Sequence, residues 1–160
     1  MFSGCTYLTA APAELPALTV KANAYNAMFQ DCTSLTSAPV IKATSINQYS
    51  FRTMFRNCTA LTQVSDLQVV EMAGGSCCYQ MFYGCTSLTT APALPSTTVT
   101  SSCYRGMFYG CSTLTTAPAL PATTLASTCY SQMFYGCSTL TTAPALPATT
   151  LATNCYYQMF

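Results

Sequence analysis

Apolar and polar positions recur along this chain with a period of 26 or 27 residues. A Met-Phe pair marks each period, at residues 1, 28, 54, 81, 107, 133 and 159. A fixed period of this length is typical of tandem repeats in which each unit is one supersecondary element. The pattern therefore predicts six units, at residues 1–27, 28–53, 54–80, 81–106, 107–132 and 133–158, with residues 159–160 beginning a seventh. The last two complete units differ at only three aligned positions, which favours stacking in register.

Around each Met-Phe pair the apolar residues are spaced four apart, which predicts a short helix. Cys103 and Met107 share one side of such a helix, and so do Tyr104 and Phe108. The third residue after each Met is Gly, Asn or Asp in all six units, and these residues tolerate a positive φ. We therefore expect the helix to end at this column, which comprises Gly4, Asp31, Asn57, Gly84, Gly110 and Gly136.

Two short parallel strands are predicted in the rest of each unit. The first follows a leucine, as in Leu114 and the Thr-rich residues 115–117, because β-branched Thr favours strands. Residues 117–121, Ala-Pro-Ala-Leu-Pro, predict an extended, polyproline-like corner, since proline cannot donate to a sheet ladder. Residues 123–126 predict the second strand. One unit has too small an apolar face to fold alone, so stacked units must share a core, and we expect a repeat solenoid of α/β or mainly β class.

These columns resemble the unit of the bacterial BspA-like leucine-rich repeats, and the resemblance covers all six units. Its most specific part is the Phe-x-Gly-Cys-x-x-Leu core, as in residues 82–88. The matching positions of one unit, in order, are Leu88, Ala91, Leu94-Pro95, Val99, Cys103, Met107-Phe108 and Cys111. The chain departs from the family pattern in having Ala for large aliphatics in the first strand, Met for Ala before Phe, and additional Pro and Thr.

The resemblance implies a right-handed, leucine-rich-repeat-like stack of short parallel strands with short helical turns. It also implies an extracellular or cell-surface protein that is used for adhesion and recognition and has no enzymatic centre.

The chain has few charged residues, and this limits the kinds of partner that it can bind. Five Lys or Arg and four Asp or Glu give a net charge of +1, and eight of these nine residues precede residue 72. This balance provides no electrostatic footprint for nucleic acid and no basic helix for a membrane surface. No apolar run reaches the roughly 18 residues that indicate a membrane span. Neither end carries the polar capping repeat that solenoids normally need, so we expect a segment of a longer protein, or else head-to-tail self-association.

The eleven cysteines fall mainly into two columns of the repeat. The first column comprises Cys5, Cys32, Cys58, Cys85, Cys111 and Cys137, and the second comprises Cys77, Cys103, Cys129 and Cys155. Ala24 and Ser50 fill the second column in earlier units, which favours buried thiols acting as small apolar fillers. Disulfides between stacked copies are an alternative, although the total is odd. Zinc is a weaker alternative, because the chain has no His and its column spacings lack the usual pair of cysteines separated by two to four residues.

The sequence contains few residues that could form a catalytic site. There is no His to act as a base, and the four carboxylates (Glu14, Asp31, Asp66 and Glu71) occupy different phases of the repeat. Abundant Ser and Thr are inert as nucleophiles without a base. We therefore expect no enzyme activity, no cofactor and no bound metal.

A candidate ligand-binding stripe is formed by two columns that vary while the scaffold does not. They stand two residues before and two residues after each Met, so they share one outward face of the predicted helix. The stripe comprises Arg52, Arg56, Tyr79, Tyr83, Arg105, Tyr109, Tyr135 and Tyr157. Tyr and Arg dominate binding hot spots, and Tyr faces also stack on sugar rings. The alternative is a solvated convex face whose tyrosines lean on one another. A second candidate is the Thr face of the first strand, at residues 89–90, 115–116 and 141–142, where Thr more often simply satisfies the strand surface.

The sequence therefore predicts a non-enzymatic recognition or adhesion module that binds protein or glycan on a host or neighbouring cell. The alternative is a structural repeat of a fibre, surface layer or phage or virion appendage that self-assembles end to end.

Overall fold

Backbone hydrogen bonds join each repeat to the next at equivalent residues throughout the computed structural model, which describes residues 1–160. Five two-residue strands are present: β1 (Glu14–Leu15), β2 (Thr19–Val20), β3 (Val40–Ile41), β4 (Ser45–Ile46) and β5 (Glu71–Met72). All pairing is parallel, with β1 beside β3 and with β4 between β2 and β5. No helix in the structure has both the length and the apolar character needed to cross a membrane.

The second predicted strand is confirmed in the first three units, where it forms β2, β4 and β5. In later units it is reduced to a single bridge between Thr98 and Thr124. The first predicted strand is weaker than expected, because only isolated bridges form along it: Ala10–Ser37, Ser37–Gln63 and Thr90–Thr116.

The predicted polyproline corner is wrong in the first two units, where it forms β1 and β3. Val40 and Lys42 donate their N–H groups to the carbonyls of Ala13 and Leu15 at 3.0 and 3.1 Å. The donors thus come from the second unit, and the prolines beside β1 remove no carbonyl. In the fourth unit Pro95 stands where Lys42 stands in the second, so that donor is lost and no ladder forms there.

The predicted short helix is wrong. The segment instead folds into successive overlapping turns, which we call the turn ribbon; its copies span residues 21–32, 47–58, 74–85, 100–111, 126–137 and 152–159. In the first copy the N–H groups of Ala24, Asn26, Met28, Gln30 and Cys32 each donate three residues back. The intervening N–H groups, from Asn23, Tyr25, Ala27, Phe29 and Asp31, donate instead to carbonyls of the following copy. Half of the donors that a helix would use internally therefore hold neighbouring repeats together.

A positive φ at every fourth residue excludes an α-helix and gives the turn ribbon its shape. One copy has Ser76 at 56°, Gln80 at 51° and Gly84 at 70°, and a positive φ at the third turn position is the mark of a type II turn. The positive φ expected at the Gly4 column is confirmed, but this column is the last of three such positions rather than a helix cap. Spacing of four residues misled the prediction because the ribbon also repeats every four residues.

The turn ribbon buries two residues in every four. Cys77 and Cys78, Met81 and Phe82, and then Cys85 are fully buried, while the residues between them reach the surface. The phenylalanines form a continuous column of seven stacked rings with centroids 5.5 to 5.8 Å apart, comprising Phe2, Phe29, Phe55, Phe82, Phe108, Phe134 and Phe160. The leucine column, including Leu35, Leu61, Leu88 and Leu114, belongs to the same core.

Candidate functional site

The turn ribbon places the predicted stripe on its outward side. Tyr79 and Gln80 stand between the buried residues Cys78 and Met81, and the same pattern recurs around the other stripe positions. The stripe residues are partly or fully exposed, and Tyr157 is the most exposed of its tyrosines at 53%. The residues four apart thus do share a face, although through a ribbon of turns rather than a helix.

Four stripe residues form one continuous contact series, which we call the Tyr83 file. The guanidinium carbon of Arg56 lies 4.6 Å from the centroid of the Tyr83 ring. Tyr83 stacks on Tyr109 with centroids 4.7 Å apart, and Tyr109 stacks on Tyr135 at 5.0 Å. Both faces of Tyr83 and of Tyr109 are therefore covered, so these two rings present edges and hydroxyls to solvent, whereas Tyr135 has a stacking contact on one face only.

The other contact series, which we call the Tyr79 file, has one tyrosine between two arginines. The guanidinium carbons of Arg52 and Arg105 lie 5.6 and 5.9 Å from the centroid of the Tyr79 ring. Arg52 also lies 5.6 Å from the Tyr49 ring, a contact that the sequence prediction missed. Tyr157 is separated from this file by the buried Ser131, so the structure does not bring it together with the other stripe residues.

The three stripe arginines make no ion pair with a carboxylate. The one ion pair in the structure joins Lys42 to Glu14 at 4.0 Å, with both side chains about half exposed. Arg56 instead donates to the Oε1 atom of Gln80 at 3.2 Å. Gln80 was not predicted as a site residue, because the column directly before Met holds only uncharged residues: Ala, Thr, Gly and Gln. Cation–π contacts favour these guanidinium positions, by about 0.5–1 kcal/mol each at exposed sites, and leave the positive charge unpaired.

The Thr face of the first strand is engaged in supporting the stack. Hydroxyls of Thr62 and Thr115 donate to the backbone carbonyls of Thr36 and Thr89 in the preceding units, at 3.2 and 3.3 Å. Thr115 is the one residue of the predicted Thr face whose side chain supports the stack in this way, and ligand binding by this face stays a prediction.

Ten of the eleven cysteines are buried, as predicted, while Cys5 is exposed; all eleven are free thiols. In the first column each buried thiol donates to the carbonyl of a Phe in the neighbouring repeat, for example Cys58 to Phe29 at 3.1 Å and Cys85 to Phe55 at 3.1 Å. Burial disfavours the thiolate, raising the pKa of Cys58 to about 12 and that of Cys137 to about 11. Such thiols pack and donate hydrogen bonds, and they are poor nucleophiles.

A cleft of about 580 Å³ lies between the third and fourth units and was not predicted. No backbone hydrogen bond joins residues 62–65 to residues 89–92, so the first-strand bridges are interrupted between Gln63 and Thr90. Hydroxyl and amide side chains dominate its walls, including Ser37, Ser65 and Gln63. The Asp66 carboxylate spans the interruption nearby by accepting the Ala93 N–H at 2.8 Å. The third unit contains no proline, whereas the second has Pro39 and the fourth has Pro92 and Pro95, and this difference is the sequence signal that marks the cleft.

The carboxylates have separate roles and form no common centre. Glu14 pairs with Lys42, Asp31 accepts from Asn57 and Gln30, and Asp66 accepts from a backbone N–H. No group of three or more potential metal ligands occurs in the structure.

Comparison with known families gives one match. The family model of the BspA type leucine-rich repeat region matches residues 1–98 and again residues 54–159, with six copies of the repeat. No curated protein and no solved structure matches the chain.

Proposed function

This chain belongs to the BspA-type leucine-rich repeat family, and we propose that it is a non-enzymatic recognition or adhesion module that binds a protein or glycan at a cell surface. Repeats of this family are commonly surface-associated. The observation that supports binding is the exposed pair of Arg and Tyr files on an otherwise regular scaffold.

Variation among the repeats distinguishes this face from the rest of the stack. The Phe and first-column Cys positions are the same in all six units, whereas the stripe columns hold Asn, Arg, Tyr, Ser and Gln. A purely structural surface needs no such variety, and Arg and Tyr are the residues most enriched in binding hot spots. We also infer that the parallel-paired units form a right-handed solenoid that displays both files side by side.

A direct test compares two double variants for binding to intact host cells and to protein and glycan arrays. R52A/R56A removes two stripe arginines, whereas the matched control K21A/K42A removes two positive charges elsewhere. We expect the first to lose at least tenfold in affinity for the partner found by the wild-type chain, and the control to retain it. Equal binding by R52A/R56A and the wild type would remove the stripe as the binding surface.

A structural role in a fibre, surface layer or virion appendage is the second candidate. The observation that favours it is the scarcity of charge, with nine charged residues in 160, which gives copies little mutual repulsion. Sedimentation over a range of concentrations separates the two roles, since filaments support the structural role and a stable monomer supports recognition.

A further inference from the structure

Positive charge is concentrated on the stripe, and no ion pair neutralises it. Arg52, Arg56 and Arg105 are three of the five basic residues in the chain, and none has a carboxylate within ion-pair distance. The acidic residue Asp31 lies beside Arg56, because its N–H donates to the Arg56 carbonyl at 2.8 Å. Its two carboxylate oxygens are occupied by the amides of Asn57 and Gln30, at 2.8 and 3.1 Å, whereas the Arg56 side chain extends toward the next unit.

Each of the three guanidinium groups lies against a tyrosine ring, which favours its position. Arg52 and Arg105 contact the same Tyr79 ring and can be no more than about 11.5 Å apart, since they lie 5.6 and 5.9 Å from its centre. Arg56 is held between the Tyr83 ring and the Gln80 amide oxygen in the neighbouring file. Guanidinium groups that are already positioned lose little side-chain entropy on binding, and their remaining N–H groups suit carboxylate or sulfate oxygens.

We propose that Arg52, Arg56 and Arg105, with the tyrosine edges beside them, bind a linear acidic polysaccharide that carries carboxylate or sulfate groups. This inference rests on the proposed function and names the chemical class of its ligand. The Tyr83, Tyr109 and Tyr135 rings repeat at 4.7 and 5.0 Å along the stack, so their hydroxyls form a row beside the arginines. Such a row matches the hydroxyls of an extended sugar chain, and the arginines match its charges.

The shape of the surface favours a polysaccharide over an acidic peptide. All four clefts of the structure are lined by other residues, so the stripe has no pocket in which a peptide could bury an apolar anchor. Peptide recognition draws much of its affinity from such pockets. An extended polyanion on an open face depends instead on charge and hydrogen bonds, and its affinity must fall with added salt.

The test measures binding of the intact chain to four probes by biolayer interferometry: heparin, polygalacturonate, dextran and poly-glutamate. We expect affinity for heparin or polygalacturonate, at least a tenfold loss between low and high salt, and no binding to uncharged dextran. We expect R52A/R56A to weaken the affinity at least tenfold and R105A to weaken it at least fivefold. The affinity of K21A/K42A should stay within twofold of the wild type. D31N should strengthen the affinity about twofold, because it removes a negative charge beside Arg56.

Three outcomes would overturn the inference: no binding to either acidic polysaccharide, equal or tighter binding to poly-glutamate, or unchanged binding by the arginine variants. Circular dichroism of each variant checks that it remains folded, and R52K/R56K keeps the charge if the alanine variant does not fold. The proposed function can hold even if this inference fails. In that case the wild-type chain binds neither acidic polysaccharide but binds cells in a way that does not depend on salt, and R52A/R56A abolishes the binding to cells.

Discussion

Replacing Gly106 by Ala tests the turn ribbon directly, because the ribbon and the helix expected from the sequence predict opposite signs. Gly106 has φ of 59° in the middle of a ribbon copy. In a helix interior, Gly to Ala stabilises by about 1 kcal/mol. At a left-handed position the added Cβ costs about 1–2 kcal/mol, partly offset by the reduced freedom of the unfolded chain. We therefore expect G106A to lower the free energy of unfolding by about 1 kcal/mol.

At Gly106 the cost of a Cβ at positive φ should outweigh any steric clash with neighbouring side chains. A Cβ on Gly106 would lie 3.2 Å from Cγ of Gln80, a flexible side chain that can move. Ala27 and Thr53 already carry a Cβ in the same column at φ of 53° and 50°, which shows that the space exists.

Urea unfolding followed by circular dichroism measures the effect. With a slope of about 2 kcal/mol per molar urea, the G106A midpoint should fall by about 0.5 M. The reverse exchange, A27G, is the matched control and should leave the midpoint unchanged or raise it, whereas in a helix it would lower it. A higher midpoint for G106A together with a lower one for A27G would refute the turn ribbon.

The remaining predictions concern the core and the buried thiols. Cys58→Ala should cost about 1–2 kcal/mol in urea unfolding, because it removes the thiol that donates to the Phe29 carbonyl and leaves a small void; stability equal to wild type would show that this hydrogen bond contributes nothing. Phe108→Ala should cost about 3–5 kcal/mol, since Phe108 stacks on rings at 5.6 and 5.7 Å on its two sides; a cost below about 1 kcal/mol would argue against a continuous core. A thiol reagent at neutral pH should label only Cys5 in the native chain and all eleven cysteines in urea; rapid native labelling of more than one thiol would contradict the burial. Stability should hold below pH 8 and decline above pH 9, because unfolded thiols ionise near 9.0 whereas Cys58 stays protonated up to about 12; a pH-independent midpoint from 8 to 11 would count against the raised pKa.

The stacking of equivalent residues in successive units could be predicted from the sequence, and this stacking forms most of the core. Columns such as Phe82 and Phe108 are identical in every unit, so their stacking follows from the repeat alone. The outward position of Arg56 and Tyr83 could also be predicted, since both a helix and a turn ribbon place residues four apart on one side.

Backbone conformation could not be derived from spacing. Thr53 and Tyr49 adopt a positive φ that their side chains disfavour, because hydrogen bonds to the neighbouring copy fix the ribbon there. The Arg52–Tyr49 contact lies within one copy of the turn ribbon and the Arg56–Gln80 contact joins two copies, and both depend on side-chain directions that residue spacing does not record. The cleft beside Gln63 likewise depends on how the third unit, without its prolines, fits between two others.

Hydrogen bonds of the Met-Phe segments join every pair of neighbouring units, from Phe2–Met28 to Phe134–Met159, whereas first-strand bridges are absent between the third and fourth units and between the fifth and sixth. The units are thus joined continuously through the turn ribbon, whereas the first-strand side is open where the bridges are missing. Tension or bending applied to the stack should separate the units at these open places before it breaks the hydrogen bonds of the turn ribbon. Curvature could then change at these two levels while the Arg and Tyr files on the turn ribbon keep their spacing.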